Sequence, residues 1–302
     1  MHKIHFSGRP AQLTVPEPVA GPGQLLIRTE LAGVHLGMLR MIKADSGSDP
    51  GAEVLGTVVA VGPEVAAEWI GKRVGGVVFA GAYAEYVLAA TALMTEIPAG
   101  VPAADALAVV RGGLVALGAL RAGRFTAGES VLITAAASGS GHLAVQLAKA
   151  LGASRVVAAV GSTDKAQFLR ECGADAVLTY AESWTESFDV ILDGVGGDLL
   201  QRSVETLAPH GRLVAYSAGG GSVDVNTLLA DLKTVTGFSV GLLSRTRQDL
   251  LDSYRAELWK LLASGRLRPR HTVLPLEDIS AAVDLIESRR NLGRVIVQTG
   301  RQ

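Results

Sequence analysis

Residues 130–153 read SVLITAAASGSGHLAVQLAKALGA. A β-branched apolar run meets a turn of very small residues, and an Ala/Leu helix follows. Few folds accept that order. Small residues between a strand and a helix let backbone approach a pyrophosphate. The helix N-terminus aims N–H groups and a positive dipole end at the same place. The G-x-G-x-x-G fingerprint is spelled here with Ala136, Ser138 and Gly141, with Gly139 and Ser140 between the last two. Two of the three glycines are replaced, so the context carries the reading: strand before, helix after, a second strand at 155–160. Ala136, Ser138, Gly139, Ser140 and Gly141 are therefore candidate cofactor contacts.

Around this unit the chain changes character. The first hundred residues are β-rich, with strands predicted at 24–31, 53–61, 73–79 and 83–88 between Gly/Pro turns. Residues 103–121 read as a helix. Strands and helices then alternate: strand 130–135, a helix to 151, strand 155–160, helix 164–172, strands 176–179 and 189–193, helix 198–207, strand 212–216. Such alternation predicts a parallel sheet with helices on both faces. Gly152 and Gly173 stand just past helix ends, where a left-handed residue closes the helix. The tail (strand 271–276, helix 277–288, strand 294–297) does not continue the alternation and is expected to return to the first domain. The expected architecture is α/β: a doubly wound Rossmann domain over 105–265, inserted in a β-rich domain formed by 1–104 and 266–302. A cleft between them, at the carboxyl ends of the parallel strands, is the expected site.

Composition excludes several classes. Of 302 residues, 48% are hydrophobic and 19% charged, which fits a well-packed enzyme and not a disordered chain. A net charge of −1 offers nothing to nucleic acid or an anionic membrane. The single cysteine, Cys172, permits no intrachain disulfide and suits the cytoplasm. Residues 1–8 lack the apolar core of a signal peptide, and no apolar run is read as long enough to span a bilayer.

The second strand ends Val160-Gly161-Ser162-Thr163, with no acid at its tip. An acid there usually binds the ribose 2′-hydroxyl of NAD; its absence leaves room for the 2′-phosphate of NADPH. Ser162 and Lys165 can contact that phosphate. Against this, Ser162 also reads as a helix N-cap, Lys165 as an exposed helix lysine, and Asp164 opposes a phosphate. Two further loops follow strands, Asp193-Gly-Val-Gly-Gly197 and Ser217-Ala-Gly-Gly-Gly221. They nominate Gly194, Val195, Ser217 and Ala218 for the nicotinamide half of the cofactor, glycine letting it lie against backbone. His142 and His210 read as solvent-facing, and Asp189 and Asp193 as the ends of one strand.

These residues resemble the zinc-independent quinone oxidoreductase branch of the medium-chain dehydrogenase/reductases, which includes enoyl reductases. The resemblance rests on Gly33-Val34, Val59-Ala-Val-Gly62, Gly81-Ala-Tyr-Ala-Glu-Tyr86, the fingerprint with Ala144-Val-Gln-Leu-Ala-Lys-Ala-Leu-Gly152, Gly161-Ser162 with Lys165, Gly173-Ala174-Asp175, Tyr180, Asp193-Gly-Val-Gly196 and Gly293-Arg294. It implies a GroES-like catalytic domain around the Rossmann domain, and NADPH with Ser162, Lys165 and Tyr180 about its 2′-phosphate. It also implies a homodimer joined through the Rossmann sheets. Zinc members need thiolate ligands. Here Ala52 replaces the histidine of their His-Glu pair, so no metal is expected and Glu53 reads as a structural hydrogen-bond acceptor. The substrate side departs from the family: His35-Leu-Gly-Met38 stands for Asn-x-x-Asp, Arg111 for Asn or Gln, and Val115 for Thr.

The function expected is NADPH-dependent hydride transfer to a small molecule, a quinone or an α,β-unsaturated carbonyl, without metal. A donor must then face the developing oxyanion, and a proton must reach the product. His35, Lys43 and Arg111 are the candidate catalytic residues. His35 leads because imidazole can protonate near neutral pH, though it also reads as a packed histidine at a strand end. Tyr83 reads as a core aromatic. Two alternatives stay open: a Rossmann enzyme of another class (elimination, cyclisation or isomerisation), and a non-catalytic NADPH-binding protein.

Overall fold

The computed structural model describes residues 1–7, 9–44, 49–217 and 219–299. Its strands are β1 (His2–Ser7), β2 (Arg9–Thr14), β3 (Gln24–Val34), β4 (Pro50–Val61), β5 (Arg73–Ala80), β6 (Tyr86–Ala90), β7 (Met94–Glu96), β8 (Ser130–Ile133), β9 (Arg155–Val160), β10 (Ala176–Thr179), β11 (Phe188–Asp193), β12 (Leu207–Ala215), β13 (Thr234–Gly237), β14 (His271–Pro275) and β15 (Arg294–Gln298). The chain divides into two compact units, Met1–Arg111 with Arg270–Gln302, and Gly112–Pro269. Both divisions fall a few residues after the boundaries read from sequence.

In the second unit six parallel strands run in the order β10-β9-β8-β11-β12-β13. Counted within the unit this is 3-2-1-4-5-6, the open doubly wound order whose ligand site lies where the strand order reverses. That point is between β8 and β11. Val131, Leu132, Ile133, Val156, Val157, Val190 and Ile191 are fully buried, as strands covered on both faces must be. Asp189 ties the starts of the two central strands. Its Oδ2 accepts from Ser130 N–H (2.8 Å) and Ser130 Oγ (2.7 Å). Gly152 and Gly173 adopt φ of 94° and 102° past their helices, as their positions require.

The first unit holds a seven-stranded sheet, order β14-β15-β3-β4-β5-β7, with β6 also paired to β3. All pairs are antiparallel except β14 with β15. Pairing of β15 with β3 brings the C-terminal segment back onto the first hundred residues. A β1–β2 hairpin joins through Ile4 N–H to Tyr83 O (2.8 Å), and Phe6 meets the Tyr83 ring edge-on at 5.5 Å.

Several local expectations change. Residues 36–44 form a helix, Leu36–Ala44. The predicted strand 83–88 begins later, at Tyr86, because Tyr83 lies in a bend. The helix read at 103–121 is interrupted: Ala103–Ala108 and Leu114–Ala122 are α-helical, and Val109–Gly113 is a π-helical turn. Gly112-Gly113 weakens the α-ladder there, and a side chain at 112 would press on Gly139 O. The whole run, Ala103–Ala122, is long and apolar enough to cross a bilayer, contrary to the sequence reading, but most of it is buried in the protein, as a core helix is. The strands β1, β2, β7 and β13 and the helices Val225–Ala230 and Val240–Thr246 are additions to the sequence reading.

Candidate functional site

The turn after β8 is built as a phosphate cradle would be. Ala135 takes a left-handed φ of 49°, which turns the chain back toward the helix Gly141–Ala150. Gly141 is required by packing, since a Cβ there would run into Ala135 O and the Ala136 backbone. Ala136 is buried, its N–H on Ala159 O (3.3 Å). Ser138 satisfies two of the helix's first donors itself: Oγ accepts from Gly141 N–H (3.0 Å) and its carbonyl from His142 N–H (3.2 Å). The N–H groups of Ala137, Gly139 and Ser140 meet no acceptor among the described residues. Orphan donors at the start of a ten-residue helix fit a diphosphate.

The tip of β9 agrees. Gly161 and Ser162 are exposed, and Ser162 makes no side-chain cap, which removes its competing reading. Tyr180 lies beside Gly161, and its hydroxyl accepts from Ala135 N–H (2.9 Å). Lys165 follows within the same short turn, Thr163–Lys165. Asp164, in that turn, brings negative charge to this edge.

The two glycine loops serve a purpose the sequence did not reveal. Asp193 is buried; Oδ1 accepts from Thr134 Oγ1 (2.7 Å) and Val195 N–H (3.2 Å), and Oδ2 from Gly196 N–H (2.9 Å). This pins the β11 turn to the β8 end. Gly194 leaves room for the Tyr216 phenol, whose hydroxyl points at Thr134 O (3.5 Å). Burial, then the Asp193 charge, pushes that phenol above its ordinary pKa. Side chains at Gly196 or Gly219 would strike the opposite loop, and Gly197 N–H donates to Gly220 O (3.0 Å). These glycines pack loop on loop. Ser217 is half-buried in a bend; Ala218 lies outside the described residues. His142 is fully buried, with Nδ1 2.9 Å from Ser138 O, and not solvent-facing; His210 is exposed.

The first unit carries a second constellation, around Glu53. This carboxylate is fully buried on β4 and ion-paired with Arg294 at the head of β15. The pair crosses the backbone of Gly33 on β3, where any side chain would collide with both groups. Arg111 Nε and His35 Nε2 each stand 4.0 Å from Glu53 Oε2. Glu53 is thus an ionic centre, not simply a hydrogen-bond acceptor. His35 Nδ1 accepts from Met38 N–H (3.1 Å) and so caps the helix Leu36–Ala44. That bond puts the imidazole proton on Nε2. Burial, then the charges of Arg111 and Arg294, hold the His35 pKa well below the ordinary histidine value. Burial and the two guanidiniums thus favour the neutral imidazole, where the sequence reading expected one able to protonate near neutral pH. Tyr83 donates to Gly33 O (2.7 Å) and Met38 Sδ (2.9 Å), buried as its core reading requires. Lys43 is not in this cluster. It sits exposed in the helix's last turn, with Nζ 3.1 Å from Glu287. Among the described residues no three His, Cys, Asp or Glu side chains converge as metal ligands.

A doubly wound nucleotide sheet and a separate mixed sheet closed by the C-terminal strand define a Rossmann unit with a GroES-like unit. Residues 21–99 match the alcohol dehydrogenase GroES-like domain family and residues 139–256 the zinc-binding dehydrogenase family. Mouse prostaglandin reductase-3 is 27% identical, over 94% of this chain and 83% of its own. A mycocerosic acid synthase-like polyketide synthase of Mycolicibacterium smegmatis is also 27% identical over 94% of this chain, which spans only 14% of that synthase. The Escherichia coli quinone oxidoreductase, solved in complex with NADPH, superposes with a TM-score of 0.89 at 26% identity, over 99% of this chain and all of that one. The chain belongs to the medium-chain dehydrogenase/reductases, in their quinone oxidoreductase and enoyl reductase branch.

Two outcomes follow from the Glu53 centre. Glu53→Gln leaves a buried guanidinium uncompensated and should cost about 3–5 kcal/mol in urea unfolding. A Glu53→Leu/Arg294→Met double variant should lose less than either single change; simple additivity would contradict the pairing. The second outcome concerns pH. The native state keeps His35 neutral, while the unfolded chain protonates it below about pH 6.5. The unfolded state then binds more protons, so stability falls on acidification, by up to about 1.4 kcal/mol per pH unit. His35→Asn keeps a capping side chain and should flatten the loss between pH 7.5 and 5.5. Parallel profiles would mean that His35 titrates alike in both states.

Proposed function

We propose that this protein is an NADPH-dependent oxidoreductase acting on a small quinone or α,β-unsaturated carbonyl. The orphaned N–H groups of the fingerprint turn, at the strand-order reversal of a doubly wound sheet, carry this reading. The prostaglandin reductase and NADPH-bound quinone oxidoreductase relatives support it. In this reading Ala136, Ser138, Gly139, Ser140 and Gly141 bound the diphosphate. Ser162, Lys165 and Tyr180 surround the 2′-phosphate. Gly194, Val195 and Ser217 border the nicotinamide half.

When bound, the nucleotide supplies a hydride to the electron-poor carbon β to the carbonyl. The chain's part is electrostatic. As hydride adds, the alkene electrons shift toward the carbonyl oxygen, which becomes an enolate. The candidates for stabilising that oxygen are His35, whose Nε2–H is a neutral donor, and Arg111, which carries a positive charge. Tyr83 is too firmly bonded and too hard to deprotonate to exchange protons, so water supplies the proton to the α carbon. Lys43, the third candidate, is exposed and paired with Glu287.

A cytoplasmic homodimer completes the reading. The one cysteine, Cys172, is buried and needs no oxidising compartment. At the sheet edge β13 leaves a row of backbone groups unpaired, and Val225, Leu229 and Leu232 just before it are each more than 60% exposed. An open edge flanked by apolar side chains favours pairing with a second copy.

NADPH oxidation followed at 340 nm with a quinone and enone panel should show turnover with one NADPH consumed per product. Calorimetry without heat on NADPH addition would sink the reading. Lys165→Glu should lower the NADPH-over-NADH ratio of kcat/KM about tenfold or more, the loss of one charge-assisted contact. Sedimentation should give a dimer for the native chain and a smaller species for Leu229→Asp; a native monomer would remove the dimer.

A further inference from the structure

We infer that Arg202 is a positioning residue for the 2′-phosphate edge of the nucleotide site: by clamping the segment after β10 it holds Tyr180 in place and so sets the preference for NADPH over NADH. The inference rests on the NADPH reading and deepens it, and every residue it uses belongs to the second unit. Tyr180 is the first residue beyond β10, and residues 180–187 join that strand to β11. Within this connection Tyr180 is half-buried, Trp184 is buried and the rest is exposed. Tyr180 nevertheless touches two sides of the site at once. Its ring flanks Gly161 at the tip of β9, and its hydroxyl accepts from Ala135 N–H (2.9 Å) in the turn after β8.

An exposed connection does not by itself hold a side chain in one place. A residue of another element does so here. Arg202 lies on the helix Asp198–Glu205, which follows the Asp193–Gly197 loop. Its Nη1 donates to Tyr180 O (2.6 Å), its Nη2 donates to Glu182 O, and its guanidinium lies over the Trp184 ring, 4.2 Å from the centroid. Trp184 Nε1–H donates to Thr179 O (3.1 Å), and the Glu182 carboxylate accepts from Thr179 N–H (2.8 Å), so the connection curls back on the end of β10. A planar fork can satisfy two carbonyls while its face stacks on an indole; an ammonium cannot do both. Among the described residues Arg202 meets no carboxylate: its partners are two carbonyls and an aromatic face. It therefore keeps its full positive charge while bonded to the backbone of the residue that borders the phosphate. A surface ion pair would have tied the segment down and cancelled that charge.

The test measures Kd for NADPH and for NADH by calorimetry on the full chain. Arg202→Met keeps the stem and removes the fork. It should weaken NADPH about fivefold or more and move NADH by less than about twofold. Arg202→Lys should restore part of the preference. Action through Tyr180 also requires non-additivity: in a Tyr180→Phe background, Arg202→Met should change the NADPH-to-NADH ratio little. Equal weakening of the two nucleotides, or additive effects in the double variant, would overturn the inference. Amide exchange on the nucleotide-free protein gives an independent readout. Arg202→Met should speed exchange at Ala135, whose N–H bonds to Tyr180; unchanged protection there would also overturn the inference. If the native chain binds neither nucleotide, the NADPH reading fails by itself, and exchange at Ala135 still decides whether Arg202 holds Tyr180. Should the methionine variant not fold, Arg202→Lys carries the same comparisons with a smaller shift expected.

Discussion

The buried pair of Glu53 and Arg294 holds the first unit in register. Glu53 is on β4, Arg294 opens β15, and β3 runs between those strands. The side chains therefore meet across a strand neither belongs to, over the one residue, Gly33, that offers no obstruction. Two ions taken out of water cost several kcal/mol each unless each finds the other. Their meeting couples the closing segment of the chain to a strand formed 241 residues earlier in sequence, a separation counted from the two positions. β-Pairing alone tolerates a register slip wherever a strand is evenly apolar. A buried charge does not, because a one-residue shift of β15 would leave both ions bare.

That pair also decides what chemistry the neighbouring groups can perform. Burial, then Arg111 and Arg294, disfavours protonation of His35, and burial, then the Glu53 charge, disfavours ionisation of Tyr83. The two side chains that look most like an acid and a base are thus each locked in the neutral form. What remains is hydrogen-bond donation from a fixed imidazole and a positive potential. Groups fixed in this way are preorganised, which is what stabilisation of a developing negative charge requires.

Much of the fold was legible because it is repetitive. Apolar β-branched runs alternating with Ala/Leu helices announced the parallel sheet, and the Gly152 and Gly173 helix ends were readable from spacing alone. The tail's departure from the alternation correctly returned β14 and β15 to the first unit. Short or unpatterned elements were not legible. β1 and β2 carry few apolar residues and depend on tertiary contacts such as Ile4 N–H to Tyr83 O. The helix Leu36–Ala44 starts on a histidine cap, a residue rarely read as a start signal. The π turn at 109–113 leaves no mark in periodicity beyond the Gly112-Gly113 doublet. In the site, Arg111 and His35 were found as departures from a family pattern. Glu53, which both of them face, reads in sequence only as a structural acceptor, because its ion pair with Arg294 across a strand has no local sequence signature.

Glycine shows where such reading must stop. A missing Cβ is demanded equally by a ligand's approach and by protein's own backbone. At Gly141 the partner is the preceding turn, at Gly194 a tyrosine ring, at Gly196 and Gly219 the facing loop. Composition reports the demand but not the partner. Both glycine loops could be read as cofactor-facing, yet Asp193 fixes the first of them by three hydrogen bonds and it then packs on the second. The two readings are compatible only in sequence of cause: the loops must be rigid before they can border anything. Asp193 and the glycines make them so, which is why a buried carboxylate that never needs to meet a ligand stands at the carboxyl end of the strand beside the cradle.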